Sequence, residues 1–317
     1  MDEGLANRPL IHDHPRSLAP LLDTYAERWA LVTGASSGIG KEFANRLAAL
    51  GMHLVLTARR EDEMKTLADE LDTRHGTRCE IISLDLCVPG HPEKLINEIQ
   101  ARNIDIELLV NNAGFASVGT FADTDHQQVF DLVQLNIAAL TELAYRLSGP
   151  MIERGHGGII NVASVAGFQP VAYMSAYAAS KAYVLHFSEA LWAEFKDYGV
   201  TVLALCPGPT ETDFFNVAGV PGWLKGQSAH TPEEVVKTAL RSLEKKKHYV
   251  VVGWKNYILS LLCRLAPRKM VVNESRKYFR PRSKPKKKNR GQDTEPETAT
   301  LDSSESSDNL PKQTVDH

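Results

Sequence analysis

The chain has 317 residues, 43% of them hydrophobic and 24% charged, and a formal net charge of -3. That suffices for one large core or two modest ones, and it excludes a chain-wide bias toward nucleic acid. No apolar run reaches the roughly 18 to 20 residues that span a bilayer, and the opening MDEGLANRPLIHDHPR lacks the apolar core of a secretion signal.

Residues 1–27 read as a leader with one short helix, LAPLLDTYAER. A repeating pattern then begins. WALVTG is a strand, and SGIGKEFANRLAALG a helix that ends at Gly51. MHLVLTARR is a strand, followed by the helix EDEMKTLADELDTRHG with acids in its first turn. CEIISLDL is a strand, PEKLINEIQARN a helix, and IELLVNNAG a strand ending in small polar residues. Later come the strand GGIINVAS, the long helix SAYAASKAYVLHFSEALWAEFKDYG, the strand VTVLALCPGP, the helix TPEEVVKTALRSLEKKK and the strand HYVVVG. Continuous Val/Ile/Leu strands alternating with helices predict an α/β fold. The pattern is a doubly wound, Rossmann-type parallel sheet covered on both faces.

Residues 28–255 therefore read as one domain. NYILSLLCRLAPRKMVV, within residues 256–280, is an amphipathic helix ending before Pro267. Residues 281–317 are first basic, then acidic, with almost no large apolar side chain. They cannot bury enough surface to offset ordering entropy and are expected to be disordered. The four cysteines, Cys79, Cys87, Cys206 and Cys263, form no CxxC pair and no metal spacing, so they read as buried reduced thiols, and no metal site is expected.

The first strand-to-helix turn, TGASSGIG (33–40), carries Gly34, Gly38 and Gly40 around Ser36, Ser37 and Ile39. Gly34 permits a tight turn; Gly38 and Gly40 let a pyrophosphate approach free N–H groups at a helix N-terminus. At the end of the second strand, Thr57-Ala58-Arg59-Arg60 holds no acid. A carboxylate there would take ribose hydroxyls and repel a 2′-phosphate; Arg59 instead suits that phosphate. The expected cofactor is NADP(H). Asp85-Leu86, closing the third strand, suits the adenine amino group.

Five motifs in order, TGASSGIG, NNAG (111–114), Ser164 after a strand, Tyr177-x-x-x-Lys181 and Pro207-Gly208, resemble the short-chain dehydrogenase/reductase family in its single-domain form. The resemblance covers residues 28–255 and implies ketone–alcohol interconversion by hydride transfer. It makes Tyr177 the general acid or base and Lys181 the cation that lowers its pKa and binds the nicotinamide ribose. Ser164 would hold the substrate oxygen and Asn136 a relay water. Asn111, Asn112, Ala113 and Gly114 would pack along the cofactor, and Pro207, Gly208 and Thr210 would meet its nicotinamide end. Ser37 stands where some NADP-using members carry a basic residue, so the NADP(H) expectation rests mainly on Arg59. The resemblance also implies a homodimer or homotetramer.

The chemistry agrees with those residue types. A free tyrosine has a pKa of about 10, and residues four apart on a helix share a face. Lys181 can then reach Tyr177 and favour its phenolate.

The resemblance also implies that the segment after Pro207-Gly208, TETDFFNVAGVPGWLKGQSAH, forms a mobile substrate lid. Phe214, Phe215, Val217, Trp223 and Leu224 would make an apolar wall with Phe168 and Val171. A lipophilic carbonyl follows: a 3-oxoacyl thioester, a steroid-like ring system or another hydrophobic ketone. Tyr173 is a candidate wall residue and Tyr183 a packing residue. The competing readings are a cofactor-binding regulatory or scaffold protein, and a membrane-surface module using the C-terminal segment. The expected location is the cytoplasm, with the membrane surface as the alternative; the basic stretch is expected to be solvated tail rather than a nucleic-acid site.

Overall fold

In the computed structural model, residues 25–224 and 228–280 are described. The leader's first 24 residues and the charged tail 281–317 lie outside them.

Seven strands form one parallel sheet: β1 (Trp29–Thr33), β2 (His53–Thr57), β3 (Cys79–Ile81), β4 (Ile106–Asn111), β5 (Gly157–Val162), β6 (Val200–Cys206) and β7 (Tyr249–Val251). Their spatial order is β3-β2-β1-β4-β5-β6-β7. The chain winds outward from β1 to β3, then crosses back to place β4 on the other side of β1. Loops after β1 and β4 therefore diverge at a switch point, where a parallel sheet leaves a crevice at its carboxyl edge.

Successive side chains point to opposite faces, and both faces are buried. Leu31, Val55, Leu109, Ile159 and Val202 enter one core cluster. Val32, Leu56, Val110, Ile160 and Leu203 enter the other. This is why the strands read as unbroken apolar runs rather than alternating ones.

The helices are α1 (Gly38–Ala49), α2 (Glu61–His75), α3 (His91–Ala101), α4 (His126–Val133), α5 (Leu140–Arg154), α6 (Ser175–Phe195), α7 (Pro232–Glu244), α8 (Trp254–Leu265) and α9 (Arg268–Phe279). Helix α1 seals one layer with Phe43 and Leu47, both fully buried; burying each such side chain stabilises by roughly 1.5–3 kcal/mol. Helix α2 starts on Glu61, Asp62 and Glu63 and stops at Gly76 (φ 66°), the acid-first, glycine-last pattern its dipole and C-cap favour. In α7, Thr231 and Glu234 form a reciprocal capping box ahead of Pro232.

Three expectations need correction. CEIISLDL forms pairing strand only over Cys79–Ile81; beyond it the backbone hangs on single bonds, Ile82 N–H to Leu56 O and Leu84 N–H to Ala58 O. Tyr25, placed in the leader, belongs to the main core and is only 8% exposed. The C-terminal helix does end before Pro267, at Leu265, but a second helix that the sequence reading lacked, α9, follows it, because the fixed φ of proline starts a new helix where it cannot continue the old one.

Both of these helices attach to the domain. Cys263 of α8 hydrogen-bonds Gln169 through its thiol at 2.9 Å, and Ser275 of α9 accepts the Ala172 N–H at 3.1 Å. No described helix is long and apolar enough to cross a membrane, and among the described residues no cluster of metal-ligating side chains occurs.

Candidate active site

The β1–α1 turn shows why its glycines are there. Gly34 has φ 67° and Gly38 φ 56°, both left-handed. A Cβ on Gly40 would collide with the Gly34 carbonyl oxygen, so the first turn of α1 packs directly under the loop. Asn112 locks the arrangement from the next strand, donating its amide to Thr33 O at 2.9 Å. The Thr33 hydroxyl accepts the N–H groups of Asn112 and Ala113, each at 2.9 Å.

A cleft of about 760 Å³ opens over this carboxyl edge. Gly34, Ser36, Ser37, Gly38 and Ile39 line it from β1–α1. Arg59 and Arg60 follow from the end of β2, and Asp85 and Leu86 from the segment after β3. Asn112, Ala113 and Gly114 come from the loop after β4, and Pro207, Gly208 and Thr210 from the loop after β6. At its far end stand Ser164, Tyr177, Lys181, Phe214 and Phe215.

Three expected residues are elsewhere. Gly40 lies beneath the loop. Asn111 is buried behind the wall, donating to Leu140 O at 3.2 Å and to Asn161 Oδ1 at 3.0 Å. Asn136 is also buried, in a π-helical segment (Gln134–Ala139) joining α4 to α5. Its Nδ2 donates to Phe115 O at 3.1 Å and Ser180 Oγ at 3.0 Å, and its Oδ1 accepts the Phe115 N–H at 3.2 Å. Both amide hydrogens are thus committed, which leaves one acceptor lone pair for any water. The wide turn brings Asn136 against Gly114, where a Cβ would stand 2.9 Å from Oδ1.

Helix α6 carries the reactive pair. Tyr177 and Lys181 are 7% and 5% exposed despite their polarity. Ser164 caps a short 3-10 turn, accepting the Ala166 N–H at 3.1 Å. The Ser164 hydroxyl donates to Pro207 O at 3.5 Å, and its nearness to the Tyr177 hydroxyl favours the phenolate. Lys181 Nζ donates to Val162 O at 2.7 Å and lies 5.7 Å from the Tyr177 ring centroid.

In the protein alone, burial sets the direction of the Tyr177 shift. Burial pushes the tyrosine up to about 12, outweighing Ser164. Burial likewise pulls Lys181 down to about 8. The ammonium is tethered to a main-chain carbonyl, and for each of the two groups burial is the largest cause of the shift.

Other sequence readings also shift. Val171, Val217 and Trp223 line the cleft, whereas Phe168 and Leu224 do not. Phe168 packs near Tyr249 and under the Arg264 guanidinium. Tyr173 adopts φ 66° and accepts the Gly119 N–H through its carbonyl, away from the cleft. Tyr183 stacks on Phe187 and bonds Thr141.

Sequence reasoning missed Arg60, Asn256 and Phe279. Arg60 donates to Ser36 at 3.0 Å, tying the end of β2 to the glycine loop. Asn256 of α8 packs so close to Gly208 that a Cβ there would collide with it, which explains that glycine. Phe279 lines the cleft from α9. Only the second arginine had a local signal.

A family model for the short chain dehydrogenase matches residues 28–219. A very-long-chain 3-oxoacyl-CoA reductase of Phaeosphaeria nodorum is 34% identical over 178 residues, 55% of this chain. The chain thus spans about half of that relative, 52% of its length. A 7beta-hydroxysteroid dehydrogenase of Mediterraneibacter gnavus is 29% identical over 240 residues, 74% of this chain and 89% of that one. Among solved structures, a short-chain dehydrogenase from Sphingobium yanoikuyae in complex with NADPH superposes with TM-score 0.68 at 33% identity. That match covers 75% of this chain and 94% of the other.

The sheet order and these relatives agree on one class, oxidoreductases acting on carbonyl and alcohol groups. The chain belongs to the short-chain dehydrogenase family.

Proposed function

We propose that this protein is an NADP(H)-dependent reductase of lipophilic ketones, or the corresponding secondary-alcohol dehydrogenase. The observation that carries the reading is the buried Ser164–Tyr177–Lys181 group at one end of a cleft whose other end is basic.

The residues present fit the cofactor. Ser37, the N-cap of α1, makes no side-chain cap bond and the first turn holds no acid, so the helix N-terminus is free to receive a pyrophosphate. Arg59 and Arg60 would take the 2′-phosphate and Asp85 the adenine side. Gly114, Pro207, Gly208 and Thr210 would meet the nicotinamide end, with Lys181 on its ribose. When bound, the reduced nicotinamide supplies the hydride.

The chain's own part is to place the carbonyl and manage one proton. Ser164 and Tyr177 donate hydrogen bonds to the oxygen as it gains negative charge. With its pKa raised to about 12, Tyr177 is protonated near neutral pH and is the acid for reduction. Lys181, at about 8, keeps most of its charge there and stabilises the phenolate left behind. Asn136 is a positioning residue, holding the 114–115 turn against α6. A panel of steroid, 3-oxoacyl thioester and aryl ketones, followed by NADPH oxidation, tests the reading. NADPH binding without turnover of any of them would instead favour a cofactor-binding scaffold, against which the intact Tyr177 and Lys181 speak.

Two further partners belong to this reading. Phe130, Val133 and Tyr145 are exposed on α4 and α5, and we assign that face to a second copy, tested by sedimentation velocity. On α8, Trp254, Ile258, Leu261, Leu262 and Leu265 form an exposed apolar row at helical spacing. Residues 254–273 hold Lys255, Arg264, Arg268 and Lys269 and no acid. This combination suits a cytoplasmic enzyme that docks on an anionic membrane surface. Co-sedimentation with phosphatidylserine vesicles, absent with phosphatidylcholine alone, supports that surface; a dimer lost in Leu262→Asp with no vesicle binding overturns it.

A further inference from the structure

We propose that α9 forms the distal wall of the substrate pocket, and that Phe279 is a substrate-contacting residue selecting ketones with a flat, rigid apolar body. The proposal rests on the ketone-reductase reading above and names its substrate class.

Four aromatic rings lead from the reacting hydroxyl to α9. Tyr177 packs on Phe214 at 5.5 Å between ring centroids, and Phe214 meets Phe215 edge-on at 5.5 Å. Phe215 stacks on Trp223 at 4.3 Å. Trp223 in turn lies nearly parallel to Phe279, 9° between planes and 5.7 Å between centroids. Phe214, Phe215, Trp223 and Phe279 all line the cleft that holds Ser164 and Tyr177. Ring faces and edges therefore make up much of its distal wall, with Asp213 and Asn216 beside them.

The wall is held in place from two directions. Ser275, 7% exposed, accepts the Ala172 N–H at 3.1 Å and donates to Val272 O at 2.9 Å. Ala172 belongs to the segment joining Ser164 to Tyr177, so α9 is tied to the residues that set the carbonyl. The lid is closed at its base by pairing of Thr210 with His230, and its Thr212 methyl stands against Gly38. Rings fixed in this way favour a rigid planar ligand, which loses little conformational freedom on binding and presents its faces to theirs. On this proposal a small ketone anchored at Tyr177 uses less of the wall than a fused-ring ketone does.

The test compares a fused-ring steroid ketone with cyclohexanone in the wild type, Phe279→Ala and Phe279→Tyr. Phe279→Ala is expected to lower kcat/KM for the steroid ketone about tenfold or more, mainly through KM. Cyclohexanone turnover and the NADPH Kd should stay within about twofold, and Phe279→Tyr should recover most of the loss. Equal losses on both ketones, or none on the steroid, overturn the wall. Steroid binding by equilibrium dialysis separates this idea from the enzyme reading. Steroid bound by the wild type and weakened in Phe279→Ala, with no ketone turned over, sinks the reductase reading but keeps the wall. Unchanged steroid affinity in Phe279→Ala, whatever the turnover, removes the wall alone.

Discussion

The cofactor side of the cleft is made of short loops that each leave a strand directly: Gly34–Ile39 after β1, Ala58–Arg60 after β2 and Asn112–Phe115 after β4. The substrate side draws on segments far apart in the chain, among them 164–177, 207–223 and Phe279. The first is rigid because strand pairing and side-chain bonds such as Asn112 to Thr33 fix each loop. The second depends on aromatic packing and on single anchors such as Ser275. Loops rooted in a sheet keep one cofactor; a wall assembled from distant helices is free to change with the substrate. Tyr177 stands at the seam, since its ring packs on Phe214 and it lines the same cleft as Lys181 and the glycine loop.

That division can be broken at several points. Replacing Tyr177 by Phe removes the proton donor and should lower kcat by on the order of a thousandfold, the middle of the range for general acids. NADPH affinity, measured by fluorescence titration, should hardly change. Retained turnover would move the acid elsewhere.

Lys181 gives the next largest effect, read as stability. Burial holds its amine at about 8, against 10.5 as the ordinary value. Between about pH 8 and pH 10 the unfolded chain binds more protons than the folded one, so stability should rise with pH, by about 2 kcal/mol at most. Tyr177 and Tyr25, both pushed up to about 12 by burial, act in the opposite sense only above their ordinary value of 10.0. Lys181→Met should flatten the rise in urea denaturation curves; an unchanged slope would show that the amine is not desolvated.

On the cofactor side, Arg59→Ala and Arg60→Ala should each weaken NADPH by roughly ten- to hundredfold, the worth of a charge-assisted hydrogen bond. NADH should be little affected, and equal losses for both cofactors would refute a 2′-phosphate site. Arg60→Ala also frees Ser36, so it is expected to be the more damaging of the two. On the substrate side, Ser275→Ala removes two hydrogen bonds, from the Ala172 N–H and to Val272 O, each worth about 0.5–1.5 kcal/mol. It should raise KM for large ketones severalfold and leave NADPH affinity alone; a matching loss in NADPH affinity would erase the distinction between the two sides.

The sequence determined what local chemistry determines. Buried parallel strands must be continuous apolar runs, and a turn under a pyrophosphate needs glycine. A tyrosine and a lysine four apart must share a helix face. Hence the doubly wound sheet, the TGASSGIG turn and the Tyr177–Lys181 pair were legible from residues 28 to 255 alone.

What the tertiary structure decided has no local signature. Asn136 turns away from the cleft because a π-helical turn aims it at Ser180 and Phe115, and no spacing rule announces that turn. Neither Phe168, in the turn that Ser164 caps, nor Phe279, far beyond the last motif, shows its place by spacing. Only packing places the first under Arg264 and the second across from Trp223. Tyr177 and Lys181 titrate as they do because the surrounding layers exclude water from both, and desolvation is a property of the assembled core rather than of any stretch of chain.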